Sequence, residues 1–399
     1  MKVFLVSPDE RSFLWNAGDR APLGVLYISA ALTKNGIENE VFDLNHCSRE
    51  DLIARIKKER PEWTGLSVVS SPSFKQMERL AREIKQYTGI VAGGAHVTAL
   101  PDSLKDLADA VVLGYGERGI LRVIEGARGI VKEPVGIDEF PSPDRTKLNP
   151  DDYSMWTNSL RTATIVSSRG CPNNCFFCAS HVRKIQFRNP ENIREEIIEL
   201  KGQNYGAVYI LDENFGVSKK HFDSVTLLLK KEEMKYRTEM VAKDITAEVA
   251  RRLRDTGCMY VALGIESGDD EILRKANKKT TVEKNREAIE ILGKYKIPVK
   301  GFFIIGLPGE TEETARKTIE FAEEMRSRGL VSADFYALTP FPGSAIWENP
   351  GKYGIRILSK DFDTFLQKGE PVIETEHLSR ERIKNLVYEA RARWQKLEK

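Results

Sequence analysis

Three of the chain's five cysteines lie within eight positions, and their spacing limits what the surrounding residues can form. Cys171, Cys175 and Cys178 have the spacing C-x3-C-x2-C. Three thiolates on one loop can bind three irons of a [4Fe–4S] cluster, which leaves the fourth iron open to a small molecule. Zinc is the alternative, but structural zinc takes four ligands and the nearest additional donor, His181, stands alone in the sequence. The spacing therefore favours an iron–sulfur cluster.

The bulk composition gives no sign of a nucleic-acid or membrane partner. The chain has 61 basic and 59 acidic residues, a formal charge of +2, with the two signs interspersed. The amino terminus is a short apolar run cut off by Pro8 and charged residues, which predicts a first strand rather than a signal peptide. No apolar run approaches membrane-spanning length. We expect a cytoplasmic protein, because a reducing compartment favours thiolate ligands over disulfides.

Short β-rich runs alternate with helical patterns over residues 1–145. This alternation predicts βαβ units and an open parallel sheet with helices on both faces. Turn residues follow three successive predicted strands, in segments 70–73, 93–101 and 114–117. Ligands of such sheets bind at the carboxyl ends of the strands, where glycine lets backbone N–H groups approach closely. We therefore expect a ligand-binding edge in this part of the chain.

A second alternation begins after a proline-rich linker at residues 133–152. Residues 162–168 form a β-rich run that leads into the cysteine loop, and five further strands are predicted at 207–211, 238–241, 260–265, 299–305 and 333–338. Asn189 and Pro190 predict the start of a helix, as an N-cap followed by a proline in the first turn. Six βα units predict a partial (β/α)6 barrel, whose functional groups gather at the carboxyl ends of its strands.

Acidic residues recur at these predicted strand ends. Asp212 and Glu213 follow the second strand, where they would meet a bound cation or amine, and Glu266 and Glu310 follow the fourth and fifth. Any one of them alone fits a helix cap or a solvated turn. Their recurrence at one edge of the barrel, beside the cysteine loop, favours a site.

Several motifs occur in a fixed order: the cysteine spacing with an aromatic before its last cysteine, Asp212 to Phe215, Glu-Ser-Gly at 266–268, Lys-Lys-Thr-Thr at 278–281 and Gly-Leu-Pro-Gly-Glu-Thr at 306–311. This order resembles the cobalamin-containing branch of the radical S-adenosylmethionine (SAM) enzymes. Segments 22–27, 93–98 and 114–117 are similar to those of the cobalamin-binding domain that precedes many such barrels. The resemblance implies an α/β chain with a flavodoxin-like (Rossmann-type) cobalamin-binding domain at 1–145. A partial (β/α)6 radical SAM barrel at 155–347 and a small α-helical carboxyl-terminal region at 348–399 would follow.

The resemblance also implies which residues hold the cluster and SAM. Cys171, Cys175 and Cys178 would ligate the cluster. SAM contacts are expected from Phe177 near the adenine, from Glu213 to the amine, and from Glu266 with Ser267 to the ribose hydroxyls or the carboxylate. Arg188 would pair with the SAM carboxylate or a cobalamin phosphate, a surface role being the alternative.

The implied cobalamin contacts lie on the three turn segments of the first domain. They are Ser70, Ser71, Gly93, Gly94, His96, Thr98, Gly114, Gly116 and Glu117. The chain departs from the B12-dependent mutases, whose DxHxxG loop supplies a histidine to cobalt, because Asp43 and His46 are wrongly spaced and no glycine follows. We expect the lower cobalt face to lack a histidine ligand and to meet residues 70–73. Contact with the ligand and a capping or packing role are both open to His96.

These features predict a cobalamin-dependent radical SAM C-methyltransferase, in which a SAM-derived radical activates an unactivated carbon that then takes a methyl group from cobalamin. An external low-potential electron donor would reduce the cluster. In size and layout the chain resembles methanogen enzymes that methylate a protein residue such as glutamine in methyl-coenzyme M reductase. The alternatives are a non-methylating cyclisation or ring rearrangement, methylation of a lipid or small molecule, and a non-catalytic cobalamin sensor, against which the intact cysteine motif argues. A radical SAM methylthiotransferase would need a cysteine-bearing amino-terminal domain and usually an RNA-binding tail, and the sequence predicts neither.

Overall fold

The computed structural model describes residues 1–12, 17–180, 182–366 and 369–398. His181, considered above as a zinc ligand, lies outside the described residues. The chain divides into two compact units. Unit 1 comprises Met1–Met155 and Asp361–Leu366, and unit 2 comprises Trp156–Lys360 and Gln367–Lys399. The predicted region at 348–399 is thus divided between the two units.

Unit 1 contains a six-stranded parallel sheet in the order β2-β1-β3-β4-β5-β6. Its strands are Lys2–Ser7 (β1), Glu38–Asp43 (β2), Trp63–Ser67 (β3), Gly89–Gly93 (β4), Ala110–Leu113 (β5) and Gly129–Lys132 (β6). Its helices are Leu23–Lys34 (α1), Arg49–Glu59 (α2), Phe74–Ile84 (α3), Ala95–Ala99 (α4) and Gly116–Ile124 (α5).

Helices cover both faces of this sheet. In β1, Val3 and Leu5 pack on the side of α1 and α5, whereas Phe4 and Val6 pack on the side of α2 and α3. A strand buried on both faces is apolar throughout, as this one is. The predicted flavodoxin-like fold is confirmed. Strand β6 was not predicted because only Val131 of its four residues is buried, so it carries no apolar pattern.

Unit 2 contains a seven-stranded sheet in the order β15-β14-β13-β12-β11-β8-β7. Its strands are Trp156–Thr157 (β7), Leu160–Ile165 (β8), Ala207–Ile210 (β11), Lys235–Met240 (β12), Cys258–Glu266 (β13), Val299–Ile305 (β14) and Leu330–Ala337 (β15). Two short antiparallel pairs lie outside this sheet: Ser168–Arg169 (β9) with Gln186–Phe187 (β10), and Ile355–Ile357 (β16) with Ile373–Thr375 (β17).

Helices connect the strands of unit 2. They are Pro190–Gly202 (α6), Lys219–Lys231 (α7), Ala247–Asp255 (α8), Asp270–Lys275 (α9), Val282–Lys294 (α10), Glu312–Arg326 (α11), Ala345–Glu348 (α12) and Arg380–Glu398 (α13). Strand β8 and strands β11 to β15 are parallel and adjacent in chain order, which confirms the predicted partial (β/α)6 barrel. Helix α13 packs on β14, β15 and α11, and Arg391 donates two hydrogen bonds to the Phe335 carbonyl. No helix in the described part of the chain combines the length and apolarity needed to cross a bilayer.

One carboxyl-terminal segment, Asp361–Leu366, belongs to unit 1 and is called here the returning segment. Its Phe362 ring lies 4.7 Å from the His96 ring and 5.8 Å from the Phe74 ring. Asp361 forms an ion pair with Lys75 of α3, and Phe365 is fully buried. The returning segment therefore completes the packing at one end of unit 1.

Candidate active site

The three cysteines lie on a loop, residues 170–185, between β9 and β10; it is called here the cluster loop. These two strands pair Arg169 with Gln186 and close the base of the loop. The Cys171 amide donates a hydrogen bond to the Val182 carbonyl at 2.9 Å. Gly170 has a φ of +96°, and a Cβ atom there would lie 2.8 Å from the Lys184 carbonyl oxygen. The described part of the loop therefore folds back on itself and requires glycine at its first position.

A buried carboxylate at the end of β11 fixes the residues that lead into the cluster loop. Asp212 accepts hydrogen bonds from the amides of Ser167 and Ser168 at 2.7 and 3.0 Å, and from both hydroxyls at 2.6 Å. Burial raises the pKa of Asp212, although these donors oppose the shift. The expectation that Asp212 meets a bound cation or amine is wrong, because four internal donors surround its carboxylate.

The residues that follow the cluster loop are also held by a buried charge. Arg188 forms an ion pair with Glu196 at 2.5 Å, and both side chains are almost fully buried. Its guanidinium also donates to the Val166 carbonyl at 2.9 Å, and its amide donates to the Ser167 carbonyl at 2.9 Å. The expected pairing of Arg188 with SAM or a cobalamin phosphate is wrong, because these partners enclose the guanidinium.

The three cysteine thiols of the cluster loop are half-buried and lie close enough to influence one another's charge. Burial raises the pKa of Cys175 and of Cys178, and the charge of Cys171 raises both further. The Lys278 ammonium acts in the opposite direction on Cys175. The Ser180 amide donates to the Cys178 sulfur at 3.4 Å. Iron replaces the thiol protons when a cluster binds, so a partly buried group of three thiols suits cluster ligation.

The described donors were compared with the requirements of a single metal ion. Within the described ranges, no three His, Cys, Asp or Glu side chains are gathered so that they could hold one metal ion. A cubane presents separate irons to its cysteines, so the thiols need not meet at one point.

Residues 276–278 lie directly against the cluster loop. The Phe176 amide donates to the Ala276 carbonyl at 3.0 Å, and the Asn277 side chain donates to the Asn174 carbonyl at 2.6 Å. The next residue, Lys278, forms an ion pair with Glu266 at 2.8 Å, and each side chain is less than 10% exposed. Burial lowers the pKa of Lys278, but Glu266 and the neighbouring thiols outweigh it, so the pKa is raised and the ammonium stays charged.

Two features of the backbone make room for the Lys278–Glu266 pair. Glu266 ends β13 with a φ of +66°, which turns the chain sharply at this position. A Cβ atom at Gly264 would lie 2.5 Å from the Glu266 carboxylate and 2.7 Å from the Lys278 ammonium, so glycine leaves room for the pair. No role was predicted for Lys278. The only signal was its place in the Lys-Lys-Thr-Thr motif.

The other predicted SAM residues have different surroundings. Glu213 accepts a hydrogen bond from the Ser180 hydroxyl at 3.0 Å, which brings it to the cluster loop. Phe177 is half-buried on that loop. The Ser267 hydroxyl is fully buried and bonds to Thr318 of α11 at 3.1 Å. Glu213, Phe177 and Glu266 are therefore brought to the cluster loop, whereas Ser267 joins β13 to α11.

In unit 1 the predicted cobalamin residues lie at the carboxyl ends of β3, β4 and β5. Gly94 has a φ of +111°, and a Cβ atom there would lie 2.5 Å from the Val68 carbonyl oxygen. The Gly114 amide donates a hydrogen bond to the Thr98 hydroxyl at 3.0 Å. A Cβ atom at Gly114 would meet open space. The remaining predicted residues at this edge are Gly93, Gly116 and the buried Glu117.

His96 is buried at this edge rather than exposed to solvent. Its Nδ1 bonds to the Ser71 hydroxyl at 3.0 Å, and its ring lies 4.7 Å from the rings of both Phe74 and Phe362. Burial lowers the pKa of His96 to about 4, so the ring is neutral. Among the described residues, its Nε2 and the buried Ser70 hydroxyl have no hydrogen-bond partner. These two polar atoms and the open space at Gly114 fit a ligand rich in amide groups.

The residues considered as mutase-like cobalt ligands have other roles. Nε2 of His46 bonds to the Gly18 carbonyl at 2.6 Å. Burial raises the pKa of Cys47 to about 11, so it remains a thiol. Asp43 accepts a hydrogen bond from the Tyr153 hydroxyl at 3.0 Å.

Comparison with known proteins matches each unit to a family. Residues 17–124 match the B12 binding domain, and residues 165–322 match the radical SAM superfamily. The structure of the radical SAM methyltransferase TsrM from Kitasatospora setae, with cobalamin and a [4Fe–4S] cluster bound, covers 92% of this chain. This chain covers 82% of TsrM in return, with a TM-score of 0.72 and 18% identity. The chain therefore carries a B12 binding domain and a radical SAM domain.

Two curated relatives extend over most of this radical SAM protein. An uncharacterized methyltransferase of Pyrococcus horikoshii is 27% identical over 98% of this chain and 91% of its own length. The anaerobic magnesium-protoporphyrin IX monomethyl ester cyclase of Rubrivivax gelatinosus is 27% identical over 88% of this chain and 70% of its own length. The predicted family and its three cofactors, a [4Fe–4S] cluster, SAM and cobalamin, are confirmed.

Proposed function

We propose that this protein transfers a methyl group to an unactivated carbon of its substrate. When bound, the cluster and SAM supply a carbon-centred radical, and cobalamin supplies the methyl group. The chain's part is to hold these groups and to keep water and oxygen away from them. The alternative is a non-methylating reaction, which the mass of the product distinguishes from methyl transfer.

The observation that supports this function is the convergence of charged side chains on the cluster loop. Lys278 and Glu266 form a buried pair next to Cys175, and Glu213 reaches the same loop through Ser180. SAM carries a carboxylate and an amine on one carbon. An ammonium and carboxylates beside the open iron would bind those two groups and fix the orientation of the sulfonium.

We propose a protein or peptide substrate, with a residue such as glutamine in methyl-coenzyme M reductase as the specific candidate. The similarity in size and layout to methanogen enzymes of that kind supports this choice. The protein would work in the cytoplasm and take electrons from an external low-potential donor.

The test begins with anaerobic reconstitution of the full chain with iron, sulfide and hydroxocobalamin. We expect visible absorbance from both cluster and corrin, followed by 5′-deoxyadenosine when SAM and a reductant are added. Peptides that span candidate glutamine sites should gain 14 Da, measured by mass spectrometry. A product of unchanged or lower mass would indicate cyclisation or rearrangement instead. No corrin absorbance would remove methyl transfer and leave the radical chemistry.

A further inference from the structure

A cavity of about 720 Å³ opens beside the cluster loop in unit 2. It lies between the turn after β12 and the first turns of α8 and α10. Its lining includes four lysines, Lys243, Lys278, Lys279 and Lys284, and one acid, Glu287. The lining therefore has more lysines than acids, although Lys278 is paired with Glu266 and Lys284 with Glu287.

Three of the four lysines of this cavity reach the surface, and the Lys278 side chain is only 9% exposed. Lys284 forms an ion pair with Glu287 at 2.5 Å but is 56% exposed, and Lys243 is 40% exposed with Asp244 4.0 Å away. Lys279 is exposed and donates to the Asn277 side chain. The N-caps of α8 and α10, Thr246 and Thr281, also line the cavity, so the positive ends of two helix dipoles add to the field.

The wall of this cavity is continuous with the cluster loop. Residues 276 and 277 bond directly to the cluster loop at Phe176 and Asn174. Lys278, the next residue, lines the cavity and also pairs with Glu266 next to the thiols. Residues 276–278 therefore connect the part of the cavity at Lys279 to the cluster loop.

We propose that this lysine-lined cavity is the docking surface for an acidic protein that delivers single electrons to the cluster. Complementary charge raises the association rate of transient redox pairs, which bury little surface and exchange quickly. In each encounter the donor is oxidised by one electron and the cluster is reduced by one electron, with no bond made or broken. This inference rests on the proposed function in one respect, which is that the protein must hold a cluster that can be reduced.

The test compares two reductants on the reconstituted full chain under anaerobic stopped flow. Reduced flavodoxin is the acidic protein donor, and reduced methyl viologen is a small cationic donor. In the double variant K279E/K284E we expect cluster bleaching by flavodoxin to slow about tenfold at low ionic strength. The difference should shrink as salt is added. Methyl viologen should reduce the variant at least as fast as the parent.

The matched control reverses two charges elsewhere in the same unit. Lys230 and Lys231 are exposed in the last turn of α7, at the opposite end of the barrel from the cluster loop. The K230E/K231E variant should react with flavodoxin at the parent rate. Lys284→Glu places an acid in the first turn of α10, where the helix dipole favours it, so the test variant should fold.

Three outcomes would overturn the inference. Equal flavodoxin rates in K279E/K284E and the parent would show that the donor docks elsewhere. Equal slowing with both donors would show that the substitutions disturb the cluster itself. A higher KM for the substrate with an unchanged flavodoxin rate would assign the cavity to an acidic substrate. If reduction behaves as expected but no product forms, the docking surface stands and the proposed function fails.

Discussion

Asp212 and Glu213 are adjacent acids at the same strand end, yet their surroundings give them different roles. The Asp212 carboxylate is surrounded by four internal donors, whereas Glu213 meets the Ser180 hydroxyl on the cluster loop. Both are acids after an apolar strand, so their sequence environment is the same. Only the path of the cluster loop separates a residue that supports the fold from one that faces the site.

Removal of the Asp212 carboxylate should destabilise unit 2 and weaken cluster binding. Asp212→Ala leaves the donors of Ser167 and Ser168 without their acceptor in a buried place. Each buried unsatisfied group costs about 1–3 kcal/mol, so the loss of the acceptor for the two amides alone should lower the free energy of unfolding by about 2–6 kcal/mol. Urea unfolding and the iron content per chain measure the two effects.

Asp223→Ala is the control for this prediction, because the Asp223 side chain forms surface ion pairs with Lys219 and Arg252. Such pairs contribute up to about 1 kcal/mol. Equal losses of stability in the two variants would contradict the role assigned to Asp212.

A methyl group at Gly264 should disturb SAM binding without unfolding the barrel. In Gly264→Ala the new Cβ would lie within 2.7 Å of both partners of the Lys278–Glu266 pair, so the end of at least one of these side chains must shift. We expect SAM affinity to fall about tenfold, equivalent to about 1.4 kcal/mol, with an unchanged iron content. Equilibrium dialysis with SAM provides the measurement. Gly202→Ala in α6, where nothing lies within 4 Å, should bind SAM as the parent does.

At the scale of elements, the turn from β14 to α11 is closed by a buried carboxyl. Glu310 is fully buried and accepts a hydrogen bond from the Gly306 amide, while its second oxygen has no partner among the described residues. Burial raises the pKa of Glu310 to about 8, well above its ordinary value of 4.5. The turn therefore holds a neutral acid at moderate pH.

This carboxyl should make the stability of unit 2 depend on pH. Between pH 4.5 and 8 the unfolded chain has released the proton that the folded chain retains, so stability falls as the pH rises through this interval. Glu310→Gln cannot titrate. From pH 5 to pH 8, the free energy of unfolding of the variant should rise relative to that of the parent by roughly 1.4 kcal/mol for each pKa unit of the shift. Denaturant unfolding at the two pH values provides the measurement.

The neighbouring acid Glu312 is the control for this pH dependence. It is exposed and paired with Arg382, which lowers the pKa of Glu312. Its contribution is therefore present above pH 4.5 and is lost only in acid, so Glu312→Gln should gain nothing at pH 8. The prediction would be contradicted if the free energies of unfolding of the parent and of Glu310→Gln changed equally with pH.

Local signals in the sequence predicted the helices and strands well. The side-chain roles that were not predicted depend on contacts with residues elsewhere in the chain. Asn189 does cap α6 and Pro190 does open it, because capping depends on neighbouring residues alone. The roles of Arg188 and His96 depend on Glu196 and Phe362 respectively, and no spacing rule connects those positions. The cluster cysteines could be predicted because one short loop holds all three.

At the scale of the whole molecule, the two cofactor sites should be separable. Cys175→Ala removes a predicted cluster ligand of unit 2, so we expect iron to be lost while corrin absorbance remains. Gly114→Leu should do the reverse, because its side chain would occupy the open space at the cobalamin edge of unit 1. Iron assay and visible spectra of each reconstituted variant provide the measurement.

Gly36→Leu is matched to Gly114→Leu in its backbone. The two glycines have φ values of +70° and +78°, and at neither would a Cβ atom have another atom within 4 Å. Gly36 lies between α1 and β2, at the other edge of the sheet. The Gly36→Leu protein should keep both cofactors. Loss of corrin from both leucine variants would point to backbone strain rather than to a blocked site.

The returning segment limits how this protein can be divided. A fragment that stops at residue 155 would contain every strand of the first sheet but would lack Phe362 and Phe365. Phe74 and His96 would then face solvent at the edge that we assign to the corrin. Recombination that exchanges residues 1–155 alone would therefore separate unit 1 from the returning segment that packs on it. The two halves of this gene are expected to be inherited together.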